Sequence, residues 1–186
     1  MKIRLLVIAA IVSLLPLANA NAAVVLFELQ GAGGAGLLGS NEVPPVAGGG
    51  SGGEIGAGIS FDDVTNILTI NVGWGSGNGF TDLTGDATAM HIHRGDQNTA
   101  GGVAVNLGVL PGFSASASNG GFSGDVSLSA ADATDLIGGD LYINVHTAAN
   151  GGGEIRGNFA AVPEPTSAGL ACVALLGGVL VRRRRA

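Results

Sequence analysis

Two of the three histidines in this 186-residue chain stand two positions apart, at His91 and His93, and the third is His146. A neutral imidazole is a common ligand for zinc and copper, and three protein ligands leave one position of a tetrahedral site open. Histidines can equally serve as hydrogen-bonding groups in a structural network. The strands that carry the histidines decide whether the three side chains can meet, because alternate side chains of a strand point to opposite faces of a sheet.

Eight short segments rich in valine, isoleucine, leucine and phenylalanine are separated by turn residues, chiefly glycine, asparagine, aspartate and serine. This pattern predicts an all-β domain, an antiparallel β-sandwich or barrel of about eight strands. Residues 62–66 are expected to form a hairpin turn, and residues 129–137 a helix that begins after Ser129. The predicted strands are residues 24–29, 54–61, 67–74, 87–93, 103–107, 122–128, 141–146 and 154–159.

The apolar side chains that alternate along these segments are expected to pack together as the core of the domain. A run of glycines at residues 47–53 has the composition of a flexible linker, so it is predicted to be a mobile loop. The predicted core consists of Phe27, Ile59, Phe61, Ile67, Leu68, Ile70, Met90, Ile92, Val103, Val105, Leu141, Ile143, Val145, Ile155 and Phe159.

The same alternation places every histidine on the polar side of its strand. In the segment 87–93, Met90 and Ile92 share one face, which leaves His91 and His93 on the other. If the segments that begin at positions 87, 141 and 154 are neighbours in the sheet, their polar side chains form one patch. Its members are His91, His93, Asn144, His146, Glu154 and Arg156.

Two interpretations of this patch remain open. In the first it is a structural network, in which Glu154 pairs with Arg156 or with a histidine and each pair contributes about 0.2–1 kcal/mol. In the second, His91, His93 and His146 bind one divalent metal ion, zinc or copper. Arg156 favours the first interpretation, because a fixed positive charge disfavours a cation nearby. On that interpretation His146→Ala lowers stability modestly and there is no metal to lose.

Composition argues against several other chemistries. Between residues 24 and 161 there are thirteen acidic residues against Arg94 and Arg156, a net charge of −11, so nucleic acid and anionic lipid are poor partners. The only cysteine, Cys172, lies in the C-terminal apolar segment, which excludes a disulfide or a thiolate site from this region. No G-x-S-x-G motif marks a nucleophilic serine. No catalytic residue is assigned, and an enzyme is not expected.

The first 23 residues have the layout of a secretory signal peptide. Lys2 and Arg4 precede an apolar run at residues 5–17, and small residues follow in an A-x-A pattern at Ala18 and Ala20. A charged start, a short apolar run and a small-residue cleavage site define such a peptide. Residues 1–23 are therefore predicted to be a signal helix removed by signal peptidase, which leaves residues 24–161 as the β domain.

The C-terminal segment, residues 162–186, has three parts. Residues 166–181 are uncharged and mostly apolar, as in a short membrane helix, and the arginines at 182–185 would hold the end of that helix in the cytoplasm. Before them, proline restricts the backbone to an extended conformation. This extended part consists of Val162, Pro163, Glu164 and Pro165.

The three parts together resemble the PEP-CTERM sorting signal of Gram-negative bacteria. The resemblance implies recognition by an exosortase and transient anchoring in the inner membrane through the C-terminal helix. It also implies that the tail is removed in the cell envelope, and that the remainder is released or attached at the surface.

Three motifs between the terminal segments resemble those of the CHRD domain, which occurs in chordin and in many microbial exported proteins. They are residues 38–46 (LGSNEVPPV), 89–93 (AMHIH) and 144–157 (NVHTAANGGGEIRG), with Gly151 where the family usually has proline. They follow the family's order along most of the chain between the two signals. The resemblance implies an all-β fold but no particular activity, since the microbial members have none established.

These features predict an exported, non-enzymatic module at the cell surface, in the extracellular matrix or in association with exopolysaccharide. The alternative is a zinc- or copper-binding protein that uses the three histidines. Exosortase and signal peptidase are the expected partners during processing, and extracellular polysaccharide or matrix is the expected partner afterwards. The expected location is the cell envelope or the extracellular space.

Overall fold

The structure is a computed structural model that describes residues 24–115 and 117–163. Every predicted strand is present, with ends shifted by a few residues, and two short strands come in addition. The elements are β1 (Val24–Gly31), β2 (Gly34–Ala35), β3 (Leu37–Leu38), β4 (Ser51–Asp62), β5 (Ile67–Trp74), β6 (Ala87–Arg94), β7 (Val103–Asn106), β8 (Gly120–Ser127), α1 (Ala130–Gly138), β9 (Leu141–Thr147) and β10 (Ile155–Ala161).

The strands join in one antiparallel sheet, as the prediction of antiparallel pairing requires. The longer strands lie in the order β8-β5-β4-β1-β10-β9-β6-β7. Strand β1 connects the two halves of the sheet, because its first residues pair with β4 and its later residues pair with β10. Strands β6, β9 and β10, which carry the predicted site, are direct neighbours.

One hydrophobic core receives alternate side chains from both halves of the sheet. The core prediction is confirmed except at Ile67, Val103 and Val105. Val103 is 48% exposed and Val105 is partly buried, because β7 is an edge strand whose one partner among the described strands is β6. Ile67 is partly buried, since it lies next to the hairpin turn. Core residues outside the prediction include Trp74 and Phe122, both almost fully buried.

Helix α1 lies between β8 and β9, where the sequence predicts it. The hydroxyl oxygen of Ser129 accepts a hydrogen bond from the N–H of Asp132 (3.1 Å), which satisfies one of the free donors at the helix start. Gly139 ends the helix with a φ of 81°, a conformation that glycine adopts without steric cost. Asp132 also forms an ion pair with Arg94, so the helix contacts the end of the strand that carries His91 and His93.

The prediction of a mobile loop at residues 47–53 is wrong for its second half. Residues 51–53 are the first residues of β4 and pair with β3 and β5. A Cβ atom on Gly52 would lie 2.5 Å from the carbonyl oxygen of Gly73, so the close approach of two backbones requires glycine there. Composition alone cannot distinguish glycines that allow close packing from glycines that allow flexibility.

The two terminal segments lie almost entirely outside the described residues. This applies to the predicted signal helix at 1–23, to Glu164 and Pro165, and to the predicted membrane helix at 166–181. Within the described part of the chain, no helix is long and apolar enough to cross a membrane. The N–H of Val162, the last residue before the proline, donates to the carbonyl of Leu26 on β1 (2.8 Å).

Candidate functional site

Apart from Glu154, the predicted polar patch lies on the face of β6, β9 and β10 that is turned away from the core. His91 pairs across the strands with Asn144, and Asn144 pairs with Arg156 on β10. All seven residues of β9 are nevertheless buried. Loops cover this face: residues 95–101 bond to Arg156, and residues 151 and 152 bond to His146 and Asn144. The loops therefore cover β9 and β10, while His91 and His93 on β6 remain partly exposed.

The structure brings the three histidines together. Each offers one ring nitrogen, and these nitrogens all lie within 4.8 Å of one another. The closest approach is 2.9 Å, between Nδ1 of His91 and Nε2 of His146. The spacing of two residues along β6 puts His91 and His93 on one face, and the pairing of β6 with β9 adds His146.

Backbone carbonyls determine the tautomer of two of these rings. Nδ1 of His93 lies 2.8 Å from the carbonyl oxygen of Gly101, and Nδ1 of His146 lies 3.0 Å from that of Gly151. A carbonyl oxygen can only accept, so in each ring Nδ1 carries the hydrogen and the neutral form has an unprotonated Nε2. His91 must therefore donate its Nδ1–H to Nε2 of His146.

One acceptor of the cluster has no partner. Nε2 of His93 is buried and takes part in no hydrogen bond within the described residues. Burial lowers the pKa of all three imidazoles and outweighs the carbonyl hydrogen bonds at His93 and His146, which act in the opposite direction. The three rings are thus held in the neutral form, which is the form that binds metal ions.

Arg156 is fully buried, but an aromatic ring lies between its charge and the histidines. Its Cζ atom lies 3.4 Å from the centre of the Tyr142 ring, and its Nη2 donates to the carbonyls of Asp96 and Thr99. Tyr142 in turn stacks on His93, with centroids 5.1 Å apart and ring planes inclined by 8°. Strands β6 and β10 flank β9 on opposite sides. The His93 ring and the Arg156 guanidinium therefore approach Tyr142 from opposite sides. The charge of Arg156 still helps to lower the pKa of His93, so it disfavours a cation at the histidines even with the ring between them.

Glu154 accepts hydrogen bonds from groups that lie away from the histidines. Its Oε1 accepts from the backbone N–H groups of Gly50 (2.9 Å) and Thr84 (2.7 Å). Its Oε2 accepts from the hydroxyls of Thr84 (2.6 Å) and Thr147 (2.7 Å). Thr147 lies on the same face of β9 as Ile143 and Val145, so this carboxylate lies on the core side of the sheet.

The predicted pairing of Glu154 with Arg156 or with a histidine is therefore wrong. No ion pair or hydrogen bond joins them among the residues that the structure describes. The reason is local: Glu154 precedes β10, and its N–H donates to the carbonyl of Val145 opposite Ile155. Regular alternation of side chains thus begins only at Ile155. The strand pattern therefore does not predict on which face of the sheet Glu154 lies.

Sequence reasoning missed the role of two residues beside the cluster. Alternation places Tyr142 on this face but assigns it no contact with His93 or Arg156. Glu42 is buried next to Asn144, and burial raises its pKa to about 7 against the lowering effects of Arg156 and Asn144. No local pattern signals Glu42 as a neighbour of the site, because it comes from a loop far away in the chain.

Comparison with known proteins supports the resemblance seen in the three sequence motifs. No curated protein matches the chain, and no solved structure matches it. A family model described as the CHRD domain matches residues 34–159, a range that contains all three histidines together with Tyr142 and Arg156. Since this match spans well over half of the 186 residues, the chain belongs to the CHRD domain family.

Proposed function

We propose that this chain is an exported CHRD module that binds one divalent metal ion, zinc or copper, through His91, His93 and His146. The observation that carries the proposal is the buried Nε2 of His93, which lies in a cluster of three imidazoles and has no partner within the described residues. A buried polar atom without a hydrogen bond costs about 1–3 kcal/mol. A metal ion bound at this nitrogen removes that cost.

The carbonyls of Gly101 and Gly151 support the same proposal. Histidines that bind metals almost always donate their other ring N–H to a carbonyl, a carboxylate or a water, which orients the ring. His93 and His146 both have such a partner. For His91, the metal ion takes the place of the hydrogen between its Nδ1 and His146, and that hydrogen moves to Nε2 of the same ring.

A hydrogen-bonded network without metal is the other candidate. It accounts for the contact between His91 and His146. It leaves Nε2 of His93 without a partner, and Glu154, the acid expected in such a network, bonds to other groups. The geometry therefore favours a site with three ligand nitrogens and an open position.

We further propose that residues 1–23 direct export and that residues 162–186 act as a PEP-CTERM signal for an exosortase. The sequence features of the two segments support this. After processing, the module acts without catalysis at the cell surface, in the matrix or with exopolysaccharide.

We also propose that the sheet folds over its core as a sandwich. The support is that β4 and β5 from one half, and β6 and β9 from the other, contribute side chains to a single hydrophobic cluster. An inner core shared by both halves leaves the outer face of β6, β9 and β10 free to carry the histidine cluster.

Metal analysis of the purified exported protein tests the proposed site. We expect about one zinc or copper ion per chain after dialysis, since one set of three histidine ligands is present. His91→Ala and His93→Ala should each reduce the metal content to near zero. The matched control is Val64→Ala, at a position that is 68% exposed in the turn between β4 and β5, and it should retain the metal. A wild-type protein that holds no metal and takes up no added zinc or copper would contradict the proposal.

Mass spectrometry of cell-envelope material tests the proposed processing. We expect the mature protein to begin after Ala20, Ala22 or Ala23 and to carry no peptide from the arginine run at 182–185. Replacement of Pro163 and Pro165 by alanine should cause chains with the intact tail to accumulate. Recovery of wild-type protein that ends at Ala186 as the main species would show that the tail is not a processed signal.

A further inference from the structure

We infer that Tyr142 and Arg156 are positioning residues that hold His93 in the orientation and tautomer needed for metal binding. This inference rests on the proposed metal site and concerns His93, whose buried Nε2 has no hydrogen-bond partner within the described residues. The other two histidines contact each other through Nδ1 of His91 and Nε2 of His146. The orientation and tautomer of His93 instead depend on groups outside the three-histidine cluster.

The first of these groups is the carbonyl of Gly101, which accepts from Nδ1 of His93. Gly101 belongs to the loop 95–101, and the same two residues hold that loop in place. Nη2 of Arg156 donates to the carbonyls of Asp96 and Thr99, and the N–H of Gly101 donates to the Tyr142 hydroxyl at 3.3 Å. Arg156, with two contacts to the loop, is thus the main support of the oxygen that determines the His93 tautomer, and the longer contact of the Tyr142 hydroxyl is secondary.

The second contact is the stack itself. His93 and Tyr142 lie nearly parallel, and the Arg156 guanidinium lies 3.4 Å from the Tyr142 ring centre. A cation over an aromatic face is attracted by the ring electrons, more strongly where water is excluded. Rotation of the His93 ring would break its contact with Tyr142, so the stack keeps Nε2 of His93 near the other two ligands.

His146 provides an internal control for this role. Its Nδ1 donates to Gly151, which belongs to a different loop from Gly101. The contacts described for Tyr142 and Arg156 are with His93 and its loop. A loss of positioning should therefore change His93 and leave His146 unchanged, whereas a general loss of stability should change both.

Nuclear magnetic resonance of the histidine ring nitrogens in the metal-free exported protein tests the positioning directly. The wild type should show a single Nδ1–H tautomer at His93 and at His146. Tyr142→Leu should give a mixture of tautomers at His93 only. Tyr142→Phe keeps the ring and should remain close to the wild type, which separates the stack from the hydroxyl contact.

Zinc affinity, measured by competition with a chelator, is the second readout. Loss of a group that orients a metal ligand typically weakens binding by about 10–100-fold, and we expect a loss of this size for Tyr142→Leu. Arg156→Met removes support of the loop but also a positive charge that disfavours a cation, so its loss of affinity should be smaller. Tyr142→Phe should stay within about threefold of the wild type, because the orienting stack is retained. If Arg156→Met does not fold, the comparison of Tyr142→Leu with Tyr142→Phe decides the question.

The outcomes separate this inference from the proposed function. Wild-type protein that binds neither zinc nor copper would overturn the proposed function. Wild-type protein that binds zinc, together with a Tyr142→Leu variant of unchanged affinity and unchanged His93 tautomer, would overturn only the positioning role. Equal changes at His93 and His146 would also overturn it, since they would indicate a purely structural effect.

Discussion

Replacement of Glu154 by alanine should lower the free energy of unfolding by about 3 kcal/mol or more. The carboxylate is fully buried and accepts hydrogen bonds from Gly50, Thr84 and Thr147, which belong to three separate segments of the chain. Its removal leaves buried N–H and O–H groups without an acceptor, and each such group costs about 1–3 kcal/mol. Urea unfolding of the wild type and the variant at pH 7 measures the difference.

The matched control is Glu28→Ala, on an exposed position of β1. Surface substitutions of this kind usually change stability by no more than about 0.5 kcal/mol. If the two variants were equally stable, the carboxylate of Glu154 would have no special role in joining these segments.

The same carboxylate should make stability depend on pH in the acid range. Burial alone would raise the pKa of Glu154, but the hydrogen bonds from Thr84, Gly50 and Thr147 outweigh it and lower the pKa from 4.5 to about 2. A carboxyl with a lower pKa in the folded state stabilises the fold fully above its unfolded pKa, and this contribution is lost as the pH falls through the folded value. At about 1.4 kcal/mol per pKa unit, the loss is about 3 kcal/mol.

We therefore expect the difference in unfolding free energy between the wild type and Glu154→Gln to shrink as the pH falls from 4.5 to about 2. The amide keeps the size of the side chain but does not titrate, so other acidic groups contribute equally to both proteins. A difference that stays constant over this range would show that the charge of Glu154 does not contribute.

Replacement of Ile143 by alanine should lower the free energy of unfolding by about 2–5 kcal/mol. Ile143 is fully buried in the middle of β9, where it pairs with Ile92 on one side and Gly157 on the other. The smaller side chain leaves a cavity between two neighbouring strands, and a packed core closes such a cavity only in part.

Two controls accompany this variant. Ile143→Val removes one methylene at the same position and should cost about 0.5–1.5 kcal/mol. Val64→Ala removes apolar atoms at an exposed position and should cost less than about 0.5 kcal/mol. If Ile143→Ala cost no more than Val64→Ala, the assignment of β9 side chains to the core face would be wrong.

Much of the fold could be predicted because its signals are local. Alternation of apolar residues defines the faces of β5, β6 and β9, and turn chemistry explains the hairpin, where Asp62 accepts from the N–H groups of Val64 and Thr65. The same alternation assigns His91, His93 and His146 to the polar faces of their strands. Alternation predicts the wrong face or burial where regular strand pairing stops, as it does at Glu154 and at the edge residue Val103.

The sequence by itself determined which side chains share a face, since neighbouring positions of a strand alternate regardless of what lies around them. Only the tertiary structure decided that β6, β9 and β10 are neighbours, that loops cover part of their outer face, and that Tyr142 lies between Arg156 and His93. The carbonyls of Gly101 and Gly151 orient two imidazoles. Every residue has a backbone carbonyl, and the residue type does not predict the direction in which that carbonyl points. Contacts between distant segments therefore decide the chemistry of the cluster, while local alternation decides its membership.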